Sequence, residues 1–131
     1  MTKQALCAAA QAMLERSYAP YSHFPVGAAL ECADGSVFTG CNIENAAFSP
    51  SICAERTAVA KAVSEGHRVF VRIAIAGSTE QFCPPCGMCR QVLAEFAGDR
   101  LEVLLVNSRG QIRETTLGEL LPLRFGSGNL E

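Results

Sequence analysis

The sequence contains no tryptophan, only two histidines and little charge of either sign. Of its 131 residues 18% are charged, and eleven basic against thirteen acidic side chains give a net charge of −2. Such a balance excludes general electrostatic attraction to nucleic acid or to an anionic membrane. The hydrophobic runs are too short to cross a bilayer, while the 49% hydrophobic content is too high for a disordered chain. We therefore expect one globular domain over residues 1–131 with a small neutral partner, no nucleic acid and no membrane.

Cysteine, by contrast, is abundant, with seven in the chain. Residues 1–4 lead into an alanine-rich helical pattern without the features of a signal peptide, so we expect a cytoplasmic location. In that reducing compartment, clustered cysteines are more often metal ligands or redox groups than disulfides. Cys7, Cys32 and Cys41 fall on predicted helix or strand faces, and we interpret them as small buried hydrophobic residues.

The first third of the chain predicts a helix followed by a β-hairpin. Apolar residues recur at helical spacing over residues 6–14, and we expect the helix to stop near Tyr18-Ala19-Pro20, because proline disfavours helix in the residue before it. The period then becomes two, and Asp34-Gly35 marks a turn between strands over residues 26–32 and 37–41.

The remaining pattern predicts an α/β fold. In order it predicts a helix over residues 54–65, a strand over 69–76, a helix over 86–96, a strand over 101–106, a short strand near Ile112 and a short helix capped by Thr116 and Glu119. A helix between two buried strands makes those strands parallel neighbours. We therefore expect a three-layer α/β/α domain around a mixed sheet of about five strands.

Three cysteines form the strongest chemical signal. Cys86 and Cys89 stand at a predicted helix start, where they could be zinc ligands or a redox dithiol of thioredoxin type. Cys53, at the start of another predicted helix, favours zinc because a redox pair needs no third thiol. Three thiolates leave one position of a tetrahedral zinc open for water, as in catalytic sites. Cys83 could close the site as a fourth ligand, but its position ahead of the helix favours a non-ligand role.

Two charged residues follow Cys53 directly. Glu55 is placed to take a proton from the activated water and to deliver it again. Zinc with three thiolates carries a formal charge of −1, which opposes ionisation of that water. We hypothesise that Arg56 offsets this charge by a hydrogen bond to a ligand sulfur.

Four motifs lie along most of the chain. They are Tyr21-Ser22-His23-Phe24-Pro25-Val26-Gly27-Ala28-Ala29, Asn42-Ile43-Glu44-Asn45-Ala46-Ala47, Cys53-Ala54-Glu55 and Pro85-Cys86-Gly87-Met88-Cys89-Arg90-Gln91. Together they resemble the zinc-dependent cytidine deaminases, in particular their small homotetrameric branch. The resemblance implies a cytidine deaminase-like fold, one Zn²⁺ per chain, a homotetramer and a role in pyrimidine salvage.

The resemblance also implies a substrate site. In it Asn42 and Glu44 would hydrogen-bond the ribose hydroxyls of a nucleoside, Phe24 would pack on the pyrimidine, and the backbone near Ala54 and Pro84 would contact the base edge. These roles suit the chemistry, because hydroxyl groups pair with amides and carboxylates and a flat base packs on an aromatic ring.

Near the C-terminus the resemblance implies that Phe125 can reach a neighbouring subunit's site. Two positions depart from the family pattern. Phe48 stands where many relatives have tyrosine, and Ser127 replaces a common proline.

The implied reaction is hydrolytic deamination of cytidine and deoxycytidine to uridine and deoxyuridine, with release of ammonia. Glu55 would act as the proton shuttle between the activated water, ring nitrogen N3 and the departing amine. The alternatives are a blasticidin-type deaminase, a polynucleotide deaminase and a non-catalytic zinc-stabilised binding module. The motif at residues 42–45 favours a nucleoside substrate over blasticidin. The short acidic chain argues against a polynucleotide substrate, and the open metal position argues against a zinc site with a purely structural role.

Overall fold

The structure is a computed structural model that describes residues 1–131. Its elements, in chain order, are α1 (Lys3–Ala12), β1 (Val26–Cys32), β2 (Val37–Cys41), α2 (Ala54–Ser64), β3 (Phe70–Gly77), α3 (Gly87–Phe96), β4 (Glu102–Val106), β5 (Ile112–Thr116) and α4 (Leu117–Leu120). Single 3-10 turns cover Met13–Arg16 and Ser127–Leu130. Every predicted helix and strand is present. None of the helices is long and apolar enough to cross a membrane.

The five strands form one mixed sheet in the order β2-β1-β3-β4-β5. β1 is antiparallel to both β2 and β3, and β5 is antiparallel to β4. β3 and β4 are parallel, with Ile75 opposite Leu105, and α3 connects them. The predicted strand-helix-strand unit is therefore confirmed.

Helices cover both faces of this sheet. α1 packs on one face through a cluster of eight buried residues that includes Leu6, Ala29 and Ala74. α2 and α3 pack on the other face through sixteen buried residues, among them Ile73 and Ile75 of β3. Because β3 is buried on both faces, its sequence shows no polar alternation. The predicted three-layer α/β/α architecture is confirmed, and Cys7, Cys32 and Cys41 are buried as expected.

The first helix ends earlier than its apolar period suggests. Regular α-helix stops at Ala12, and the chain tightens into the 3-10 turn before Ser17 turns extended. The next residue, Tyr18, exchanges backbone hydrogen bonds with Asn42 and Glu44. Pairing of this segment with a distant loop therefore overrides the helical period.

The connections place two helix N-termini at one end of the sheet. α2 begins beyond the C-terminal end of β2, and α3 begins beyond the C-terminal end of β3.

α2 lies close against β2 because Gly40 has no side chain. A Cβ atom there would stand 2.4 Å from the carbonyl oxygen of Ala54 and 2.7 Å from the amide nitrogen of Ala58. Only glycine fits between strand and helix at this point.

Candidate active site

The two helix starts bring three cysteine sulfurs together. Cys53 is the N-cap residue of α2 and Cys86 that of α3, and neither side chain caps its helix, so both sulfurs are free for a metal. Cys89 lies one turn into α3 and is buried. The Cys53 and Cys86 sulfurs are 3.9 Å apart, those of Cys86 and Cys89 are 3.5 Å apart, and all three lie within 4.8 Å of one another.

These distances suit a zinc ion. Zn–S bonds of about 2.3 Å in a tetrahedron place the ligand sulfurs about 3.8 Å apart. Two helix N-termini directed at the sulfurs favour their thiolate forms. The three residues therefore fit one Zn²⁺ per chain with a fourth position left open.

A shared hydrogen bond and a nearby cation set the charge of this cluster. The Cys89 thiol, together with Arg56, lowers the pKa of Cys53 to about 5. The same hydrogen bond and burial raise the pKa of Cys89. Arg56 Nη2 donates to the Cys53 sulfur at 3.6 Å, while its Nε atom is buried without a partner. The Arg56 guanidinium thus lies within hydrogen-bond distance of one ligand sulfur.

Glu55 adjoins the cluster without belonging to it. Its side chain is only 5% exposed, and burial raises its pKa to about 7, with the Cys53 thiolate adding to the rise. A carboxyl group that titrates near neutral pH can both accept and donate a proton during a reaction. Desolvation therefore gives Glu55 the property that an acid–base group needs.

An open cavity of about 430 Å³ adjoins these groups. Its lining contains the three predicted substrate side chains and both predicted base-edge positions. The lining residues are Ser22, Phe24, Val26, Asn42, Glu44, Cys53, Ala54, Glu55, Cys83, Pro84 and Cys86. Residues that are far apart in sequence therefore share one pocket.

The amide of Asn42 is held in one orientation. Its Oδ1 atom accepts from the Val26 amide at 2.9 Å and from the Ser17 hydroxyl at 2.5 Å. Its Nδ2 atom donates to the Phe24 carbonyl at 2.9 Å. Since an amide nitrogen carries two hydrogens, one N–H remains for a ligand.

Glu44 is held by the loop of residues 21–24. Its Oε1 atom accepts from the backbone amides of Tyr21 and Ser22, both at 3.0 Å, and its Oε2 atom accepts from the Ser22 hydroxyl. These bonds, the Ser22 hydroxyl first, lower the pKa of Glu44. The carboxylate thus stays ionised and fixed beside the cavity.

Ser22 is a site residue that the sequence analysis did not single out. Its hydroxyl donates to Glu44 and accepts from the Phe24 amide at 3.0 Å, so it links two predicted substrate residues. The only sequence signal for it was its place in the motif at residues 21–29. A contact across 22 positions between two loops has no periodicity that could reveal it.

Cys83 and Phe125 lie differently from the residues above. Cys83 lines the cavity but stands outside the three-sulfur group, and burial raises its pKa to about 11. Phe125 is 59% exposed and does not line its own chain's cavity. Gln91 Nε2 donates to its backbone carbonyl at 2.9 Å, which ties the C-terminal segment to α3.

Comparisons with known proteins agree with this geometry. Residues 1–105 match the sequence profile of the cytidine and deoxycytidylate deaminase zinc-binding region. A cytidine deaminase from Sporosarcina psychrophila is 49% identical over 130 residues, covering 99% of this chain and 96% of the relative. One from Halalkalibacterium halodurans is 50% identical over 125 residues, 95% of each chain.

A solved structure extends the similarity to the fold. The cytidine deaminase from Burkholderia pseudomallei superposes with a TM-score of 0.91 at 50% identity, covering 95% of this chain and all of that one. The expected family and α/β fold are therefore confirmed.

Replacing Arg56 tests its electrostatic role. We expect Arg56→Gln to weaken zinc binding about 10- to 100-fold, because the thiolates lose the nearest cation and a hydrogen-bond donor. Competition for zinc against a chromophoric chelator measures the change. Arg100→Gln, which alters an exposed arginine elsewhere, is the control. Wild-type zinc affinity in Arg56→Gln would show that Arg56 does not compensate the thiolate charge.

Proposed function

Because the chain belongs to the cytidine and deoxycytidylate deaminase family, we propose that it is a zinc-dependent hydrolase that converts cytidine and deoxycytidine to uridine and deoxyuridine. The observation that carries the proposal is the shared cavity. It places Glu55 and two cluster sulfurs beside Asn42 and Glu44. Both the reacting and the sugar-binding groups of a nucleoside deaminase are thus within reach of one ligand.

The reaction needs a nucleophilic water and a group that moves protons. Cys53, Cys86 and Cys89 would hold a zinc ion, which would supply the Lewis acid that lowers the pKa of water. Glu55 takes a proton from this water and passes it to N3 of the base. The oxygen of the water bonds to C4. Glu55 then takes the second proton, from the hydroxyl group now on C4, and gives it to the amine, so that C4=O forms as the C4–N4 bond breaks and ammonia leaves. Its pKa of about 7 suits both directions of transfer.

The sugar and the base meet different walls of the cavity. Glu44 accepts hydrogen bonds only, so its carboxylate suits a ribose hydroxyl, and the free N–H of Asn42 suits a second oxygen. Phe24, 38% exposed, offers its ring to the flat pyrimidine. The backbone at Ala54 and Pro84 lies in the same cavity, where it can contact the base edge.

The rival functions have less support. The relatives with about half of their residues identical are named cytidine deaminases, which favours a nucleoside over blasticidin. A non-catalytic zinc module would need a fourth ligand, and no fourth cysteine, histidine or carboxylate joins the three-sulfur group.

We further propose that residues 1–131 form one catalytic domain that acts in the cytoplasm in pyrimidine salvage, as a homotetramer. Exposed aromatic residues support the assembly. Phe48 is 71% exposed, has a left-handed φ of 63° and packs edge-on against Tyr21, and Phe125 extends from the other end of the chain. Large exposed aromatic side chains are typical of surfaces that other subunits cover.

Replacing Glu55 tests the chemistry. Zinc-loaded protein should convert the ultraviolet spectrum of cytidine to that of uridine, and Glu55→Gln should lower kcat by at least about 100- to 10,000-fold while zinc stays bound. Glu65→Gln, at the exposed end of α2, is the control and should behave as wild type. Turnover retained in Glu55→Gln would remove Glu55 from the mechanism. An unchanged cytidine spectrum with wild-type protein would reject the substrate.

Replacing Ser22 tests the sugar site. Ser22→Ala should raise KM for cytidine about 3- to 10-fold with kcat nearly unchanged, because Glu44 loses a charge-assisted hydrogen bond. Without the Ser22 hydroxyl, the pKa of Glu44 should be higher than in the wild type. On acidification, the KM of Ser22→Ala should therefore begin to rise at a higher pH than the KM of the wild type. With 2′,3′-dideoxycytidine, which lacks both hydroxyls, the KM effect should shrink.

Ser64→Ala, which removes a hydroxyl at the exposed end of α2, is the matched control for Ser22→Ala. An equal KM increase on the dideoxy substrate would mean that Ser22 does not act through sugar recognition.

Light scattering tests the assembly. We expect light scattering to show a particle of four chains. Because Phe125 is proposed to reach a neighbouring subunit's site, we also expect Phe125→Ala to raise the KM for cytidine. A monomer with full activity would exclude shared sites.

A further inference from the structure

A second cavity lies beside the active site. It has a volume of about 380 Å³ and shares the wall residue Pro84 with the substrate cavity. Two arginines, Arg90 of α3 and Arg113 of β5, line it together with Gln81 and Thr115. We refer to it as the two-arginine cavity. No acidic residue is part of its lining.

The two positive charges are not neutralised within the chain. Neither Arg90 nor Arg113 forms a salt bridge, although ion pairs occur close by in sequence. The Glu80 carboxylate pairs with Arg109 at 2.7 Å, and the Glu114 carboxylate pairs with Lys3 at 2.5 Å. The neighbouring carboxylates therefore have other partners, and the cavity retains its positive charge.

Arg90 is fixed before any ligand arrives. Its Nε atom donates to the Pro85 carbonyl and its Nη1 atom to the Leu120 carbonyl, both at 2.7 Å, while Nη2 makes no hydrogen bond. Arg113 pairs in the sheet with Leu105, a member of the core under α2 and α3, and so projects from that same face. A preorganised guanidinium loses little side-chain entropy on binding an anion.

The other lining groups indicate which anion fits. The Gln81 amide and the Thr115 hydroxyl have no side-chain hydrogen-bond partner, so they add two donor groups to the guanidinium groups. Donors from four separate side chains suit the several oxygens of a phosphate better than the two of a carboxylate. Phe82 and Leu120 supply an apolar wall for an attached organic group.

We propose that the two-arginine cavity binds a phosphate monoester, with Arg90 and Arg113 holding the phosphate and the apolar wall contacting its organic group. The site is separate from the substrate cavity, although the Pro84-Pro85 segment connects them. Its ligand needs no exocyclic amine and undergoes no reaction there.

Calorimetric titration of the zinc-loaded protein tests the site with two probes, inorganic phosphate and phenyl phosphate. We expect saturable binding of one phenyl phosphate per chain, tighter than that of inorganic phosphate because of the apolar wall. Saturating cytidine should leave it bound. Arg113→Gln should weaken it at least about tenfold, since it removes one charged donor pair, while cytidine deamination stays unchanged.

Arg100→Gln is the matched control, because this exposed arginine lies beyond the opposite end of β4 and should leave phenyl phosphate binding unaltered. Four results would overturn the proposal. They are no saturable binding, equal affinity in Arg113→Gln, displacement by cytidine, and inorganic phosphate bound as tightly as phenyl phosphate. Either of the first two results would reject the cavity as a binding site. Displacement by cytidine would place the anion in the substrate cavity, and equal affinity for the two probes would show that the apolar wall does not contact an organic group.

Discussion

The convergence of two helix N-termini at one end of the sheet is the constraint on which the rest of the molecule depends. The parallel pairing of β3 with β4 requires a crossover, and α3 supplies it. Gly40 lets α2 lie against β2 with its backbone nearly in contact, which sets the position of Cys53. Because both helices point their positive ends toward the same place, thiolates and a cation are stabilised there. The 3.5–3.9 Å sulfur spacing that fits zinc therefore depends on how both helices are placed.

The convergence of the helix starts also brings the negative charges of three thiolates together, and this charge affects Arg56 and Glu55 beside them. Three thiolates exceed the charge of one zinc ion, and the Arg56 guanidinium lies 3.6 Å from the Cys53 sulfur, where it can offset the excess. Glu55 lines the same cavity as two of the cluster sulfurs. Its burial and the nearby thiolate make its neutral form accessible near pH 7, where an ordinary glutamate is ionised. The fold therefore produces the acid–base group by the same packing that forms the metal site.

Prediction from the sequence was most complete where a local pattern carries the information. The order of strands and helices follows from hydrophobic periods, and both N-cap cysteines follow from their place just before such periods. The proposed sugar-binding residues could be named only from the motif resemblance, since an asparagine after a strand is ordinary turn chemistry. Ser17 and Ser22 were missed because their contacts with Asn42 and Glu44 cross 25 and 22 positions between loops. The two-arginine cavity was missed for a similar reason, because the fold brings Arg90 of α3 and Arg113 of β5 to one cavity and no spacing in the sequence shows this.

The two halves of the site rest on different kinds of structure, and this has consequences for function. The metal half stands on helix starts anchored in a core of sixteen buried residues, so its geometry is as rigid as the fold itself. The proposed sugar half lies on two loops, which are joined by hydrogen bonds between side chains and backbone that involve the exposed residues Ser22 and Glu44. Loops held in this way adapt more easily than packed helices. Substitutions in the loops should therefore alter which nucleosides bind, whereas substitutions at the helix starts should alter whether any bound nucleoside reacts. Substrate range can then change in this fold without loss of the chemistry.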